Sequence, residues 1–154
     1  MVSVGQRVAN FTLPATGDKL LSLDDFRGQP LVIYFYPKDN TPGCTRESQD
    51  FRDAHADFEA AGAAILGVSR DSIRSHEKFR TIQELPFDLL SDADEALCRQ
   101  FDVIQEKTLY GRKYMGIERS TFLIDPEGTL VNEWRKVRVP GHAASVLEAV
   151  RALG

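Results

Sequence analysis

The chain has 154 residues, a length that fits one domain built around a single core. Hydrophobic residues make up 42% and charged residues 27%, the balance of an ordinary globular protein, and the formal net charge is -4. This acidic balance gives no basic face for nucleic acid, and no apolar run approaches the ~20 residues that cross a bilayer. We therefore predict one domain over residues 1–154 with neither a nucleic-acid nor a membrane partner. An N-terminus without signal-peptide features favours a cytoplasmic location.

The first half of the chain predicts strands and helices in alternation. Turn residues at 15–18 separate two short extended stretches, which predicts an N-terminal hairpin. Continuous apolar runs at 31–36 and 63–69 predict two strands that are buried on both faces. Between them, apolar residues at spacings of three and four predict one helix that starts near Cys44 and stops at Gly62. The residues of this apolar stripe are Phe51, Ala54, Phe58 and Ala61.

The second half continues the alternation and ends in a hairpin and a helix. Its predicted helices are 72–85, 92–101 and 142–153, and its predicted strands are 87–90, 121–124 and 129–134. Pro86 ends the first of these helices, and type I turn chemistry at 125–128 joins the last two strands. The closing helix is amphipathic and turns Val146, Leu147 and Val150 inward. This order predicts an α/β protein with a thioredoxin-like fold, in which a mixed central sheet is flanked by helices and extended by the N-terminal β-hairpin.

One cysteine has the surroundings of a reactive thiol. Cys44 lies where a helix begins, and the free N–H groups and partial positive charge of a first helical turn favour the thiolate. Three residues earlier, the Thr41 hydroxyl can donate to the sulfur or to a bound oxygen. Pro37 and Pro42 stiffen the loop before the helix and remove two competing N–H donors. Glu47, one turn further along, would disfavour a thiolate unless a cation from elsewhere in the chain intervened.

The same segment carries a family resemblance. Its pattern Pro37-x-x-x-Thr41-x-x-Cys44 resembles the active-site motif of the peroxiredoxins, and three segments are similar to the subclass called bacterioferritin comigratory protein, or PrxQ. These segments are residues 5–13, 35–45 and 120–125. The resemblance covers nearly the whole chain and implies a monomeric thiol peroxidase that needs no cofactor. Its substrates would be hydrogen peroxide and organic hydroperoxides, which it would reduce to water and alcohols.

The resemblance implies a role for each residue of the motif. Cys44 corresponds to the peroxidatic cysteine, which attacks the peroxide and becomes a sulfenic acid. Thr41 corresponds to the hydroxyl that orients the peroxide, and Pro37 to the proline that shields the reactive sulfur from water. Glu47 occupies the position of an acidic residue that braces an arginine, and Arg119 corresponds to that arginine. A guanidinium there would supply the missing cation, favour the thiolate and donate to the peroxide oxygens.

The second cysteine leaves the reducing step open. Many members of the subclass have a second, resolving cysteine five residues after the first or in the next helix. Here Gln49 takes the first of these positions, and residues 72–85 contain no cysteine. Cys98, beside Leu97 and Phe101, is either a buried small hydrophobic residue or the resolving cysteine of a two-cysteine peroxidase. We favour the first interpretation, which makes the chain a one-cysteine enzyme that is reduced by thioredoxin, glutaredoxin or a small-molecule thiol.

Other functions fit parts of the pattern. A non-enzymatic redox sensor would also be oxidised at Cys44 but would not turn over. A thiol–disulfide oxidoreductase normally uses a C-x-x-C pair, whereas here Thr45, Arg46 and Glu47 follow the cysteine. A cysteine hydrolase needs a histidine base, and none of the three histidines is an evident partner. The sequence also lacks the Cys and His spacings that are typical of a metal site.

A basic segment from Lys107 to Arg119 also contains Tyr110, Tyr114 and Met115. Because the whole chain is acidic, we interpret this segment as an exposed loop at the rim of the site rather than as a nucleic-acid patch. Its two tyrosines and its methionine are candidates for an apolar mouth that admits organic hydroperoxides.

Overall fold

The computed structural model describes residues 1–153, which form a central sheet, its covering helices and a separate hairpin. The strands are β1 (Thr12–Ala15), β2 (Lys19–Ser22), β3 (Leu31–Phe35), β4 (Ala64–Ser69), β5 (Asp88–Ser91), β6 (Ile104–Leu109), β7 (Arg112–Ile117), β8 (Ser120–Ile124) and β9 (Leu130–Trp134). The helices are α1 (Pro42–Asp53), α2 (His55–Ala60), α3 (Ile73–Gln83), α4 (Ala96–Gln100) and α5 (His142–Leu153), and a 3-10 turn spans Leu23–Phe26.

The central sheet has seven strands in the order β2-β1-β5-β4-β3-β8-β9. β3 runs parallel to β4, and β4 to β5, while the other neighbours are antiparallel, so the sheet is mixed. The predicted α/β, thioredoxin-like architecture is therefore confirmed. The predicted hairpins β1–β2 and β8–β9 both form, and α5 buries Val146, Leu147 and Val150 as its amphipathic pattern predicted.

The sheet separates two hydrophobic cores. Every residue of β3 is buried, and side chains alternate along a strand, so its residues divide between the cores. Leu31, Ile33 and Phe35 face the α4-side core, which also contains residues of α4. Val32 and Tyr34 face the α1-side core, which contains residues of α1, α2, α3 and α5.

The long helix that we predicted after Cys44 is two helices. α1 and α2 are separated at Ala54, whose φ of -93° and ψ of 0° lie at the edge of the helical region. The carbonyl of Ala54 still accepts the N–H of Phe58 at 3.1 Å, so the break keeps this backbone hydrogen bond. On either side of it, the buried rings of Phe51 and Phe58 lie 5.9 Å apart in the α1-side core. Gly62 follows α2 with a φ of +81°, as expected of a residue that stops a helix.

Two further helices are shorter than predicted. α3 ends two residues early because Glu84 adopts the left-handed conformation, with a φ of 53°, before Pro86 is reached. α4 begins four residues late because the Asp92 carboxylate stays outside the helix and caps it. Its two oxygens accept the N–H groups of Leu97 and Cys98 at 3.0 and 2.7 Å.

The prediction of an exposed loop between Lys107 and Arg119 was wrong. β6 and β7 form an antiparallel hairpin outside the central sheet, and both residues of its turn, Tyr110 and Gly111, have positive φ. Most residues of the hairpin are exposed. Neither β6 nor β7 therefore shows the alternation of apolar and polar residues along the chain that predicts a half-buried strand. No helix within residues 1–153 has the length and hydrophobicity to cross a membrane.

Candidate active site

The N-terminus of α1 presents Cys44. β3 delivers the chain into the loop of residues 36–41, and Thr41 is the N-cap of α1, with extended backbone angles. Pro42 occupies the first helical turn, where its missing N–H leaves no hydrogen bond unmade. Cys44 therefore lies in the first turn, as predicted, and its side chain is only 1% exposed. The unpaired N–H groups and the partial positive charge of this first turn therefore lie beside the sulfur.

One guanidinium joins Cys44 to Glu47. Arg119, between β7 and β8, donates from Nη1 to Glu47 Oε1 at 2.8 Å and from Nη2 to Cys44 Sγ at 3.3 Å. Gly43 makes room for this contact, because a Cβ atom there would lie 3.1 Å from Arg119 Nη2. The structure thus brings together the cysteine, the acid and the arginine of the predicted site.

Glu47 and Arg119 each shift the pKa of the other. Glu47 is 1% exposed, and burial raises its pKa to about 7 although the nearby Arg119 lowers it. Within residues 1–153, its second oxygen, Oε2, has no hydrogen-bond partner. Burial works against the charge of Arg119, but Glu47 and Cys44 more than compensate and raise the pKa of the guanidinium. Arg119 therefore remains a cation beside the sulfur.

Thr41 and Pro37 lie in the loop before α1, and neither forms a hydrogen bond to the sulfur. The Thr41 hydroxyl donates to the carbonyl of Lys38 at 2.8 Å and not to the sulfur. With its proton engaged, this hydroxyl offers its lone pairs and can accept a hydrogen bond from a peroxide. Pro37 is half-buried at the start of the loop.

Sequence reasoning missed a buried polar cluster beside the loop. His76 Nδ1 lies 2.8 Å from Asp39 Oδ2, and the side chains of Asp39 and His76 are 1% and 0% exposed. Together with Asp71 they place three potential metal-ligand atoms within 4.8 Å of one another. Hydrogen bonds already occupy all three, so a hydrogen-bonded network describes the cluster better than a metal site. Each residue is ordinary by itself, and no spacing in the sequence connects them.

The histidines do not support a hydrolase. His142 Nε2 bonds the Thr121 hydroxyl at 2.7 Å, and burial together with the charge of Arg119 lowers its pKa to about 4. His55 pairs with Glu59 on α2. Among the described residues, no histidine hydrogen-bonds Cys44, so the base that a cysteine hydrolase requires is missing from the site.

Cys98 lies in the other core. It is fully buried with Leu97 and Phe101 in the α4-side core, whereas Cys44 belongs to the α1-side core. Burial, reinforced by Asp92, raises the pKa of the Cys98 thiol far above its usual value. The predicted burial of Cys98 is confirmed.

Comparisons with known proteins agree with this fold and site. The family model described as AhpC/TSA family matches residues 4–133. A peroxiredoxin Bcp of Xanthomonas campestris is 56% identical over 146 residues, which cover 94% of this chain and 91% of that protein. A solved structure of Xanthomonas campestris bacterioferritin comigratory protein, from work on its alkyl peroxide reduction activity, has a TM-score of 0.89 and 55% identity, covering 93% and 91% of the two chains. A cysteine-to-serine mutant of Xylella fastidiosa PrxQ has a TM-score of 0.94 and 46% identity, covering 99% and 98%.

The chain therefore belongs to the AhpC/TSA family of proteins with a thioredoxin-like fold. Its relatives are peroxiredoxins of the Bcp, or PrxQ, subclass, and this kinship makes it an enzyme of the peroxiredoxin class, as the motif around Cys44 predicted.

Proposed function

We propose that the chain is a one-cysteine thiol peroxidase that reduces hydrogen peroxide and organic hydroperoxides at Cys44. The observation that carries this proposal is the single guanidinium of Arg119, which reaches both the sulfur and the buried carboxyl of Glu47. A cation held 3.3 Å from the sulfur is placed to donate to the oxygens of a peroxide that the sulfur attacks. Alkyl peroxide reduction by the Xanthomonas campestris relative supports organic substrates.

The oxidation step uses the residues around the sulfur. The Cys44 thiolate attacks one oxygen of the peroxide, the O–O bond breaks, and the other oxygen takes a proton and leaves as water or an alcohol. Arg119 stabilises the charge that develops on the leaving oxygen, Thr41 accepts a hydrogen bond from the peroxide, and Pro37 limits the access of water. Cys44 then carries a sulfenic acid. Glu47 has a positioning role, because it fixes the guanidinium.

The reduction step requires thiols from outside the chain. A first thiol displaces the sulfenic oxygen as water and forms a mixed disulfide, and a second thiol releases Cys44 and leaves as a disulfide with the first. The burial of Cys98 in the opposite core and Gln49 on α1 both support this one-cysteine route. The reductant would be thioredoxin, glutaredoxin or a small-molecule thiol. We further propose that the enzyme is a single-domain monomer of the cytoplasm.

The decisive experiment treats the reduced protein with one equivalent of hydrogen peroxide in the presence of a sulfenic-acid trap. Peptide mass spectrometry would then locate the adduct, with Cys44→Ser as the control that should not react. A trapped Cys44 with reduced Cys98 supports the one-cysteine route, whereas a disulfide between the two would establish the two-cysteine alternative. Repeated turnover with an external thiol separates a peroxidase from a redox sensor, which is oxidised only once.

A further inference from the structure

The loop before α1 is tied to its surroundings at Asp39. Its side chain is buried, and its carboxylate accepts three hydrogen bonds. They come from Tyr36 Oη at 2.6 Å, Ser75 Oγ at 2.8 Å and His76 Nδ1 at 2.8 Å. The backbone N–H of Asp39 donates to Asp71 Oδ2 at 2.9 Å. Asp39 thus connects the loop of residues 36–41 to α3 and to the segment that follows β4.

The contact with His76 is a buried hydrogen bond between two polar side chains. His76 Nε2 faces the carbonyl of Leu90 at 2.9 Å, and because a carbonyl can only accept, this nitrogen carries a hydrogen. Burial alone would raise the pKa of Asp39, but the hydrogen bonds that it accepts and the charge of His76 hold the pKa below its usual value. His76 Nδ1 faces the Asp39 carboxylate and Nε2 faces the Leu90 carbonyl, so both nitrogens of the buried ring meet hydrogen-bond acceptors. Removing either partner would leave a buried polar group without its hydrogen bond.

We propose that Asp39 and His76 form a clamp that positions the active-site loop for the oxidation of Cys44, an inference that rests on the proposed peroxidase function. Thr41 lies two residues after Asp39, and its hydroxyl donates to the carbonyl of Lys38, the residue just before Asp39. The orientation of Thr41 therefore depends on where Asp39 holds the loop.

The clamp acts on the loop and not on the charge of the sulfur. The guanidinium of Arg119 is fixed by Glu47, on α1, and so depends on a different set of contacts. Asp39 and His76 are accordingly positioning residues, with no hydrogen bond to Cys44. Loss of the clamp should displace the groups that orient the peroxide while the thiolate persists, and a displacement of ~1 Å lowers a rate by roughly 100-fold.

The test compares two reactions of the same sulfur in Asp39→Asn. Oxidation by hydrogen peroxide, followed by stopped-flow spectroscopy, should slow by roughly 10- to 100-fold because it needs the aligned loop. Alkylation by iodoacetamide, which needs the thiolate but not the peroxide site, should keep its rate and pH profile. Asp92→Asn is the matched control, because Asp92 is a buried aspartate that accepts two hydrogen bonds at the start of α4, and it should leave both reactions unchanged.

Milder variants keep the test decisive if Asp39→Asn does not fold. Tyr36→Phe removes a single hydrogen bond to Asp39 and should slow oxidation several-fold without affecting alkylation. His76→Asn retains a donor for the carboxylate, whereas His76→Leu removes it. Oxidation should therefore be faster in the asparagine variant than in the leucine variant, an order that a role in packing alone would not produce.

Amide hydrogen exchange measures the clamp without any peroxide. In Asp39→Asn, residues 38–45 should exchange faster than in the unaltered chain, while the strands of the sheet keep their protection. Unchanged exchange in this segment, or unchanged peroxide oxidation, would overturn the clamp. An unaltered chain that peroxide does not oxidise would instead remove the proposed function, and the exchange data would still decide whether Asp39 holds the loop.

Discussion

The buried carboxyl of Glu47 should make the free energy of unfolding depend measurably on pH. Its pKa is about 7 in the folded chain and has its ordinary value of 4.5 once the chain unfolds and the side chain meets water. Between these values the folded state binds more protons than the unfolded state, so stability falls as pH rises. The difference corresponds to about 3 kcal/mol, which is fully lost above the folded pKa. Glu47→Gln removes the titrating group and should remove this loss.

Urea unfolding followed by the fluorescence of Trp134, the only tryptophan, gives the free energy of unfolding. Between about pH 5 and about pH 8, the unaltered chain should lose about 2.5 kcal/mol more stability than Glu47→Gln, because every other titrating group is common to both. Glu148→Gln is the matched control, since Glu148 is an exposed glutamate on α5 and its removal should leave the pH dependence of the unaltered chain in place.

The opposite sign would refute this reasoning. If the unaltered chain gained stability relative to Glu47→Gln as pH rose, the attraction of Arg119 would outweigh burial, and the pKa of Glu47 would lie below its ordinary value. Parallel curves for the two proteins would mean that burial and the guanidinium cancel. In either case the raised pKa of Glu47 would be refuted.

Three further predictions concern the sulfur and the sheet. Arg119→Met should slow peroxide oxidation in stopped-flow experiments by roughly 100- to 1,000-fold, and the loss should persist in the double variant with Glu47→Gln, which removes the stranded carboxylate. Cys98→Ser should keep full turnover with an external thiol, and a chain that is oxidised normally but no longer turns over would make Cys98 the resolving residue. Gly67→Ala should lower the free energy of unfolding by about 1–3 kcal/mol in urea titrations, because its Cβ would lie 2.6 Å from Leu89 Cδ2. Full stability in Gly67→Ala would show that this part of the sheet can relax.

The strands that the sequence predicted well are those whose burial is complete. The runs at 31–36 and 63–69 are apolar up to the terminal Ser69 because β3 and β4 have a core on each face, which favours apolar residues at nearly every position. β6 and β7 escaped prediction for the converse reason. They lie outside the central sheet and pair with each other, and most of their residues are exposed. Because neither strand buries a whole face against a core, their sequence shows no regular hydrophobic pattern.

The site was predictable only where its residues are neighbours in the sequence. The placement of Cys44 follows from a buried strand, a loop with prolines and a helix, all of which are local features. The bond between Glu47 and Arg119 joins residues 72 positions apart, and only the resemblance to a family suggested it. Asp39 and His76 lie 37 positions apart and were passed over, because a single aspartate and a single histidine have no period or spacing to reveal them.

The position of the second cysteine bears on how Cys44 is reduced. A disulfide needs Cα atoms within about 7 Å, but the sheet separates the α1-side core of Cys44 from the α4-side core of Cys98. Bringing the two together would require Cys98 to leave the core in which it is fully buried. Admitting an external thiol requires only that the first turn of α1 move, because Pro42 beside Cys44 is already exposed. We therefore expect the external route to disturb far less of the structure, so a variant without Cys98 should be reduced as fast as the unaltered chain.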